Sequence, residues 1–418
     1  MVARPLRVLY VMHSGSRAGS AESLGLLLAH FPPGSVSATV LCPDGDVVPW
    51  LRTTGATVRS IPGVSLFHSI AGLPLRGWRL LELGRTLWLM RYGARIRSAI
   101  RELRPDIVHL NERGMLQAAR IAREEGVPVV LHARSVADRR QDWVRRLSTR
   151  ALRRDVSRVV AIDQSVRASL DELPDVEVIY NPLDNNALPD SVPGLSSGGA
   201  VRVTYLTGLQ VFKGIHDLLE AASLLRHRSD IVFQIAGSNS RPPAFHRSLR
   251  GRILHRFGFA LDIEAAARRW IETHRMEATV RLLGRVEPSA VLAATDLLVF
   301  PSHLDGPGRS VFEAGARGIP AIVSLRHRVE DVVVDGETGL IVPERDPPSL
   351  AQAILRLADD ADLRRRLGRN AMVRYRRQFA PGPIAEQMLQ LYRSLARTGG
   401  DQSPTAEAGA APAVRGSA

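Results

Sequence analysis

The sequence predicts an α/β fold of two parallel-sheet domains facing across a cleft. Short β-rich apolar runs alternate with stretches of helical period, the pattern of buried strands joined by crossover helices. The alternation pauses at 188–200, where Pro189, Pro193, Gly194, Ser196, Ser197, Gly198 and Gly199 crowd a segment without periodicity, and then resumes. A chain of 418 residues also exceeds what one hydrophobic core usually serves.

The first domain is expected over 1–187, with strands at 7–12, 38–42, 107–110, 127–131 and 158–162. Its first run, Val8-Leu9-Tyr10-Val11-Met12 after Arg4 and Arg7, is too short for a signal or a membrane span and reads as a strand, so a cytoplasmic protein is expected. After the linker at 188–200, a second domain over 201–380 takes strands at 201–206, 231–236, 280–283, 297–301, 321–324 and 340–342. Helix signals follow from Ser349 to about Arg397, broken near Ala380-Pro381-Gly382-Pro383, so a last helix at 384–397 is expected to pack back on the first domain. The small, polar residues 398–418 read as a disordered tail. Ligands of such sheets bind outside the C-terminal strand ends, which here means the cleft.

A formal charge of +14 points to anionic partners, whether phosphate, nucleic acid or an acidic membrane. Lys213 is the only lysine, and so uniform a use of arginine looks like a genome-wide habit more than a binding code. Without a recognition helix, a zinc spacing or an aromatic platform, the chain is not expected to bind specific nucleic acid. Cys42, the sole cysteine, excludes an intrachain disulfide and a thiolate metal cluster. Asp44-Gly45-Asp46 has the spacing of a two-carboxylate metal site, but Pro43-Asp44-Gly45 is a turn signature, and no metal is expected. The segment 66–104, with Phe67, Trp78 and Trp88 among Arg76, Arg79, Arg85, Arg91, Arg95 and Arg97, reads either as a basic amphipathic surface for an anionic membrane or as a core helix with a solvated arginine face. The basic stretch 247–256 carries the same two readings.

The chemistry concentrates after the run 297–301, in Ser302-His303-Leu304-Asp305-Gly306-Pro307-Gly308-Arg309 and an apolar helix from Ser310 that Gly318 and Pro320 close. Gly306 and Gly308 let the backbone approach a ligand, and the helix start offers N–H groups to a phosphate. Glu313, placed in the first helical turn, could accept hydrogen bonds from both hydroxyls of a ribose, and Asp305 could grip a sugar. Ser310-Val311-Phe312-Glu313 is equally a capping box, which would make Glu313 a helix device. This element leaves both readings open.

Asp305-Gly306-Pro307-Gly308-Arg309-Ser310-Val311-Phe312-Glu313-Ala314 resembles the signature of glycosyltransferase family 4, a Glu-Gly-x-Gly-x(4)-Glu-Ala frame, with Asp for the first Glu. Gly318-Ile319-Pro320-Ala321-Ile322-Val323-Ser324 and Asp335-Gly336-Glu337-Thr338-Gly339-Leu340-Ile341-Val342 resemble its downstream pattern, and the likeness spans roughly 5–395. Gly208-Leu209-Gln210-Val211-Phe212-Lys213-Gly214 resembles a second family element, with Gly208 where the family usually has an arginine.

The resemblance implies two Rossmann-like domains in the GT-B arrangement and a retaining, metal-independent transfer from a nucleotide-sugar donor, with no cofactor. By it, Glu313 would hold the donor's ribose, Lys213 its diphosphate, and Asp305 with the amides of Pro307, Gly308 and Arg309 the sugar. Gly306, Ser310 and Gly208 would line the same donor site. Gly19, in a loop like the family's Gly-Gly-Ala-Glu, would approach the phosphates or the acceptor. Arg285, in Leu283-Gly284-Arg285, would lie near the base. His132 lines up with a family histidine near the sugar and would position it rather than act as a base, although a lone strand-end histidine is more often structural. Lys213, Asp305 and His132 are thus the expected catalytic set.

The implied partners are the donor, a glycan or lipid-linked acceptor in cell-envelope polysaccharide or glycolipid assembly, and an anionic membrane surface at the inner face of the cell membrane. An epimerase or hydrolase of the same fold and a basic nucleic-acid-binding protein are the rival readings.

Overall fold

The computed structural model describes residues 4–17, 19–67, 84–136, 143–184, 199–239, 241–256, 261–304, 306, 308–325 and 331–400. Strands β1 (Leu6–Val11), β2 (Val36–Cys42), β3 (Thr57–Ser60), β4 (Ile107–Leu110), β5 (Val129–Ala133), β6 (Arg158–Ala161) and β7 (Val176–Val178) form one sheet in the order β3-β2-β1-β4-β5-β6-β7. Strands β8 (Val201–Leu206), β9 (Ile231–Ala236), β10 (Val280–Gly284), β11 (Leu297–Phe300), β12 (Ala321–Ser324) and β13 (Gly339–Val342) form a second, in the order β10-β9-β8-β11-β12-β13. Every pairing between these strands is parallel.

The eleven runs expected as strands are all present within a few residues. β3 and β7 were not expected. They are the two edges of the first sheet, and Thr-Val-Arg-Ser and Val-Glu-Val are only partly covered, so neither carries the apolar run that marks a strand buried on both faces.

Alternation along the central strands sends side chains to two cores. Leu9, Val11, Val108, Leu110 and Leu131 pack with Ile96, Ile100, Ala118 and Ala122 on one face, while Val8, Tyr10, Ile107, Val130 and Val160 pack with Leu24 and Leu27 on the other. That second face is completed by Ile384, Ala385, Met388, Leu391, Tyr392 and Leu395 of the helix Pro381–Gly400, which comes after the whole second sheet. Each large apolar side chain so buried is worth about 1.5–3 kcal/mol. The helix runs through Thr398, Gly399 and Gly400, further than the point at which a tail was expected. The chain leaves the first domain near Leu183 and returns at Phe379, and the Leu183 amide donates to the Phe379 carbonyl (3.0 Å). Residues 185–198, which hold most of the expected linker, and 401–418 lie outside the described residues.

The two sheets meet at their C-terminal ends. Ser23 follows β1, Gln164 follows β6, Arg309 follows β11 and Asp331 follows β12. Arg309 Nη1 donates to Ser23 Oγ (2.9 Å), and the Gln164 amide donates to Asp331 Oδ2 (2.8 Å). No helix among the described residues is long and apolar enough to cross a membrane.

Candidate active site

β11 ends at Phe300, and the helix Arg309–Ala316 starts a few residues on. Gly308, not Ser310, is its N-cap, with an extended backbone and no side-chain capping bond. A Cβ on Gly308 would lie 2.7 Å from the Phe300 ring, so only glycine lets the helix begin against that strand. The helix therefore starts earlier than expected, Ser310 sits inside it and is nearly buried, and Glu313 falls past the first turn. No capping box forms. Glu313 Oε1 instead accepts from Arg309 Nε at 2.6 Å, a carboxylate committed to a neighbouring side chain rather than to the helix end. Gly306, with φ +150°, faces the other domain, where a Cβ would come within 3.3 Å of Val136 Cγ2. Asp305 and Pro307 lie outside the described residues.

The Lys213 loop is fastened to the end of β11. A 3₁₀ turn, Val211–Lys213, is followed by Gly214 at φ +73°, and a Cβ there would lie 1.7 Å from the Pro301 carbonyl oxygen. The His303 amide donates to the Phe212 carbonyl (2.8 Å), and His303 Nε2 pairs with Asp217 Oδ2 (2.8 Å). Lys213 Nζ is thereby held 5.0 Å from the Phe300 ring centroid and 5.7 Å from that of Phe212. Burial pulls its pKa down to about 8. Among the described residues no carboxylate pairs with it, and a partly desolvated ammonium on aromatic faces is a strong partner for an anion. Gly208 is exposed, and a Cβ there would meet nothing nearer than the Ser238 carbonyl oxygen at 4.0 Å. Arg285 is exposed beyond β10, the edge strand, and no described hydrogen bond or ion pair joins it to Lys213, Arg309 or Glu313.

The first domain contributes the opposite wall. Gly19 opens the helix Gly19–Ala29, its carbonyl accepts from Ser23 Oγ (2.9 Å), and a Cβ on it would lie 3.9 Å from Arg309 Cδ. His132, 2 % exposed near the end of β5, receives Arg134 Nη2 at Nδ1 (3.2 Å). Arg134 Nε also donates to Asn111 Oδ1 (2.7 Å) and Nη1 to Asn181 Oδ1. His109, 5.3 Å from His132 between ring centroids, bonds Tyr392 through Nδ1 (2.7 Å). Burial, joined by the charge of Arg134, holds both imidazoles neutral, well below the usual histidine range. Burial lowers Arg134 to about 10, and it raises the Glu112 carboxyl although the Arg113 amide and Ser135 Oγ donate to it.

The structure thus gathers Lys213, Gly308, Arg309, Ser310 and Glu313 at the end of β11, and Arg309 brings Gly19 to them. His132 stands on the facing sheet, while Arg285 and Gly208 are not bonded into the group. Arg134, Asn111, Ser23 and the His303–Asp217 pair were not anticipated, nor was the bond of Asn181 to Arg134. Asp46, half of the apparent metal motif, is a loop strut: its Oδ1 accepts from the Arg17 amide (2.9 Å). Among the described residues no three His, Cys, Asp or Glu side chains cluster as a metal site would require.

Two family profiles match the chain, Glycosyltransferase Family 4 over residues 30–186 and Glycosyl transferases group 1 over residues 201–374. The chain is 26% identical over 417 residues to the glycogen synthase of Mycobacterium tuberculosis, covering 94% of this chain and 92% of that one. It is 29% identical over 219 residues to the D-inositol 3-phosphate glycosyltransferase of Corynebacterium efficiens, covering 51% of this chain and 48% of that one. In fold it is similar to Anabaena HepE crystallised with UDP and glucose, with a TM-score of 0.74 at 20% identity over 93% of this chain and all (100%) of that one. The sucrose-phosphate synthase of Thermosynechococcus elongatus superposes with a TM-score of 0.69 at 18% identity over 94% of this chain and 100% of that one. With a glycosyltransferase profile on each half and GT-B enzymes matching the whole in fold, the chain belongs to the glycosyltransferases of family 4.

Proposed function

We propose that this glycosyltransferase is a retaining, metal-independent hexosyltransferase that moves a sugar from a nucleotide-diphosphate donor to a glycan or lipid-linked acceptor, in cell-envelope polysaccharide or glycolipid synthesis. The observation that carries the reading is Lys213, a cation with lowered pKa held on Phe300 beside a helix N-terminus, where a leaving diphosphate would gather charge. Glu313 takes the ribose hydroxyls, and Arg309, already on Glu313 and Ser23, turns to the phosphates. In the transfer the bond from the anomeric carbon to the phosphate oxygen breaks and the acceptor oxygen bonds that carbon on the same face. The acceptor proton passes to the departing phosphate. Asp305 and His132 are assigned to the sugar, and Gly306, Pro307, Gly308 and Ser310 to the donor loop.

The test is thermal stabilisation by UDP, GDP, ADP and their sugar conjugates, without added metal, in wild type, Lys213→Ala and Glu313→Ala. One selective nucleotide shift that shrinks in both variants supports the donor site. No shift, or equal shifts in all three proteins, overturns it. Product analysis with the selected donor then separates transfer from epimerisation and hydrolysis.

Two surface patches favour a membrane-facing acceptor and a place on the inner face of the cell membrane. Leu87 (58 %), Trp88 (52 %) and Met90 are exposed beside Arg91, whose guanidinium stacks 4.2 Å from the Trp88 ring centroid. Leu249 and Ile253 are exposed on the helix Leu249–Arg256 among Arg250, Arg252 and Arg256. Co-sedimentation with phosphatidylglycerol vesicles but not phosphatidylcholine vesicles, lost in a Leu87→Ser/Trp88→Ser variant, is the expected result. Equal behaviour on both lipids would sink it.

A further inference from the structure

Arg134 is not needed by any step above, yet three side chains hold it at the end of the first sheet. Its Nε is held by Asn111, just past β4, and its Nη1 by Asn181, past β7, so the guanidinium is gripped from both sides of β5. Its remaining described bond runs from Nη2 to His132 Nδ1. A guanidinium has five N–H groups and no acceptor. The imidazole must therefore offer a lone pair at Nδ1, which leaves its one proton on Nε2. That Nε2 is buried and has no hydrogen-bond partner among the described residues.

We infer that Arg134 is a positioning residue that fixes His132 as the Nε2–H tautomer, making it a hydrogen-bond donor to an oxygen of the ligand and never the base that takes the acceptor's proton. The surroundings agree. Besides Arg134, the groups around His132 are the edge of His109, itself bonded to Tyr392 of the helix Pro381–Gly400, and the charge of Arg309 reaches Arg134 from the second domain. Glu112, whose charge acts on Arg134, bonds the Arg113 amide and Ser135 rather than the imidazole. No described carboxylate touches His132, so nothing stabilises an imidazolium there. The ligand half of the inference rests on the donor site proposed above, and the oxygen it meets belongs either to the transferred sugar or to a phosphate.

The tautomer is read first, without ligand, by long-range proton–nitrogen NMR on full-length protein carrying ¹⁵N-histidine, with His132 assigned from His132→Gln. Wild type should show a bare Nδ1 and a protonated Nε2 from pH 8 to pH 5. Arg134→Met, which cannot donate, should release the Nδ1–H form or let His132 titrate, whereas Arg134→Lys, a donor still, should keep the wild-type pattern. An Nδ1–H or titrating His132 in wild type overturns the inference even if Arg134→Met fails to fold. The ligand half is read from the thermal shifts given by UDP and UDP-glucose. A roughly tenfold loss of UDP-glucose affinity in Arg134→Met, with UDP unchanged, places the bond on the sugar, and an equal loss for both places it on phosphate. Unchanged affinity for both overturns the ligand half. Should neither compound stabilise wild type, the nucleotide and sugar conjugate selected by the screen above take their place; should none of those stabilise it, the donor reading fails while the NMR result still decides the tautomer.

Discussion

A lysine whose pKa lies near 8 is charged at neutral pH but loses its proton within the working range of most enzymes. A bound diphosphate favours the ammonium, so donor binding should take up a proton when the pH exceeds about 8, and kcat/KM for the donor should be flat near neutrality and fall above that value. A pH–rate profile checks this, and in Lys213→Ala the fall should vanish along with most of the rate, about a hundredfold or more. Removing the Glu313 carboxylate should cost about 1.5–3 kcal/mol of nucleotide affinity, the range for a hydrogen bond to a charged group, measured by calorimetry on Glu313→Ala. Gly208→Arg has the space for its side chain and should tighten binding of the nucleotide that the thermal screen selects, about tenfold if the new cation reaches the phosphates, a gain that 0.5 M salt should erase. Lys213 and Glu313 could be picked out from the sequence as candidates because their motifs are local. The helix position of Glu313 was misread because Ser310 and Glu313 have capping-box spacing, whereas the contact that decides the cap is between Gly308 and Phe300. Arg134 was invisible for the opposite reason: Asn111 and Asn181 are 23 and 47 residues away, and no local spacing encodes that meeting.

Elements are positioned here by backbone contacts that a side chain would destroy. Gly214 and Gly336 have nearly the same dihedral, φ +73° and +72°, but a Cβ on Gly214 would strike the Pro301 carbonyl while one on Gly336 would meet nothing within 4 Å. Gly336→Ala should cost about 1–2 kcal/mol for its left-handed conformation alone. Gly214→Ala should cost clearly more and also weaken binding of the selected nucleotide, because the Lys213 turn must lift off β11. Chemical denaturation of the two variants measures the difference, and equal losses would argue against the fastening of that turn. The inner strands were legible since burial on both faces leaves an unbroken apolar run. The edges β3 and β7 were not, for they bury too little to leave one.

At the scale of the molecule, the parallel alternation and the pause near the middle were enough to announce two sheets, but not how their ends engage. That rests on pairs such as Arg309 with Ser23 and Gln164 with Asp331, each joining residues far apart in the chain. A chain stopped after Ala380 lacks the side chains that cover Tyr10, Ile107 and Val130, and its first domain should lose cooperative unfolding while the second keeps its own transition in calorimetry. A single sharp transition at the full-length temperature would contradict this. The same arrangement sets an order of events at the ribosome. β1 is among the first strands made, yet the helix that seals its face emerges only after the entire second domain, so the domain begun first is finished last. Throughout elongation the nascent protein carries that apolar sheet face only partly covered, and there a chaperone, or a neighbouring polysome, would find it.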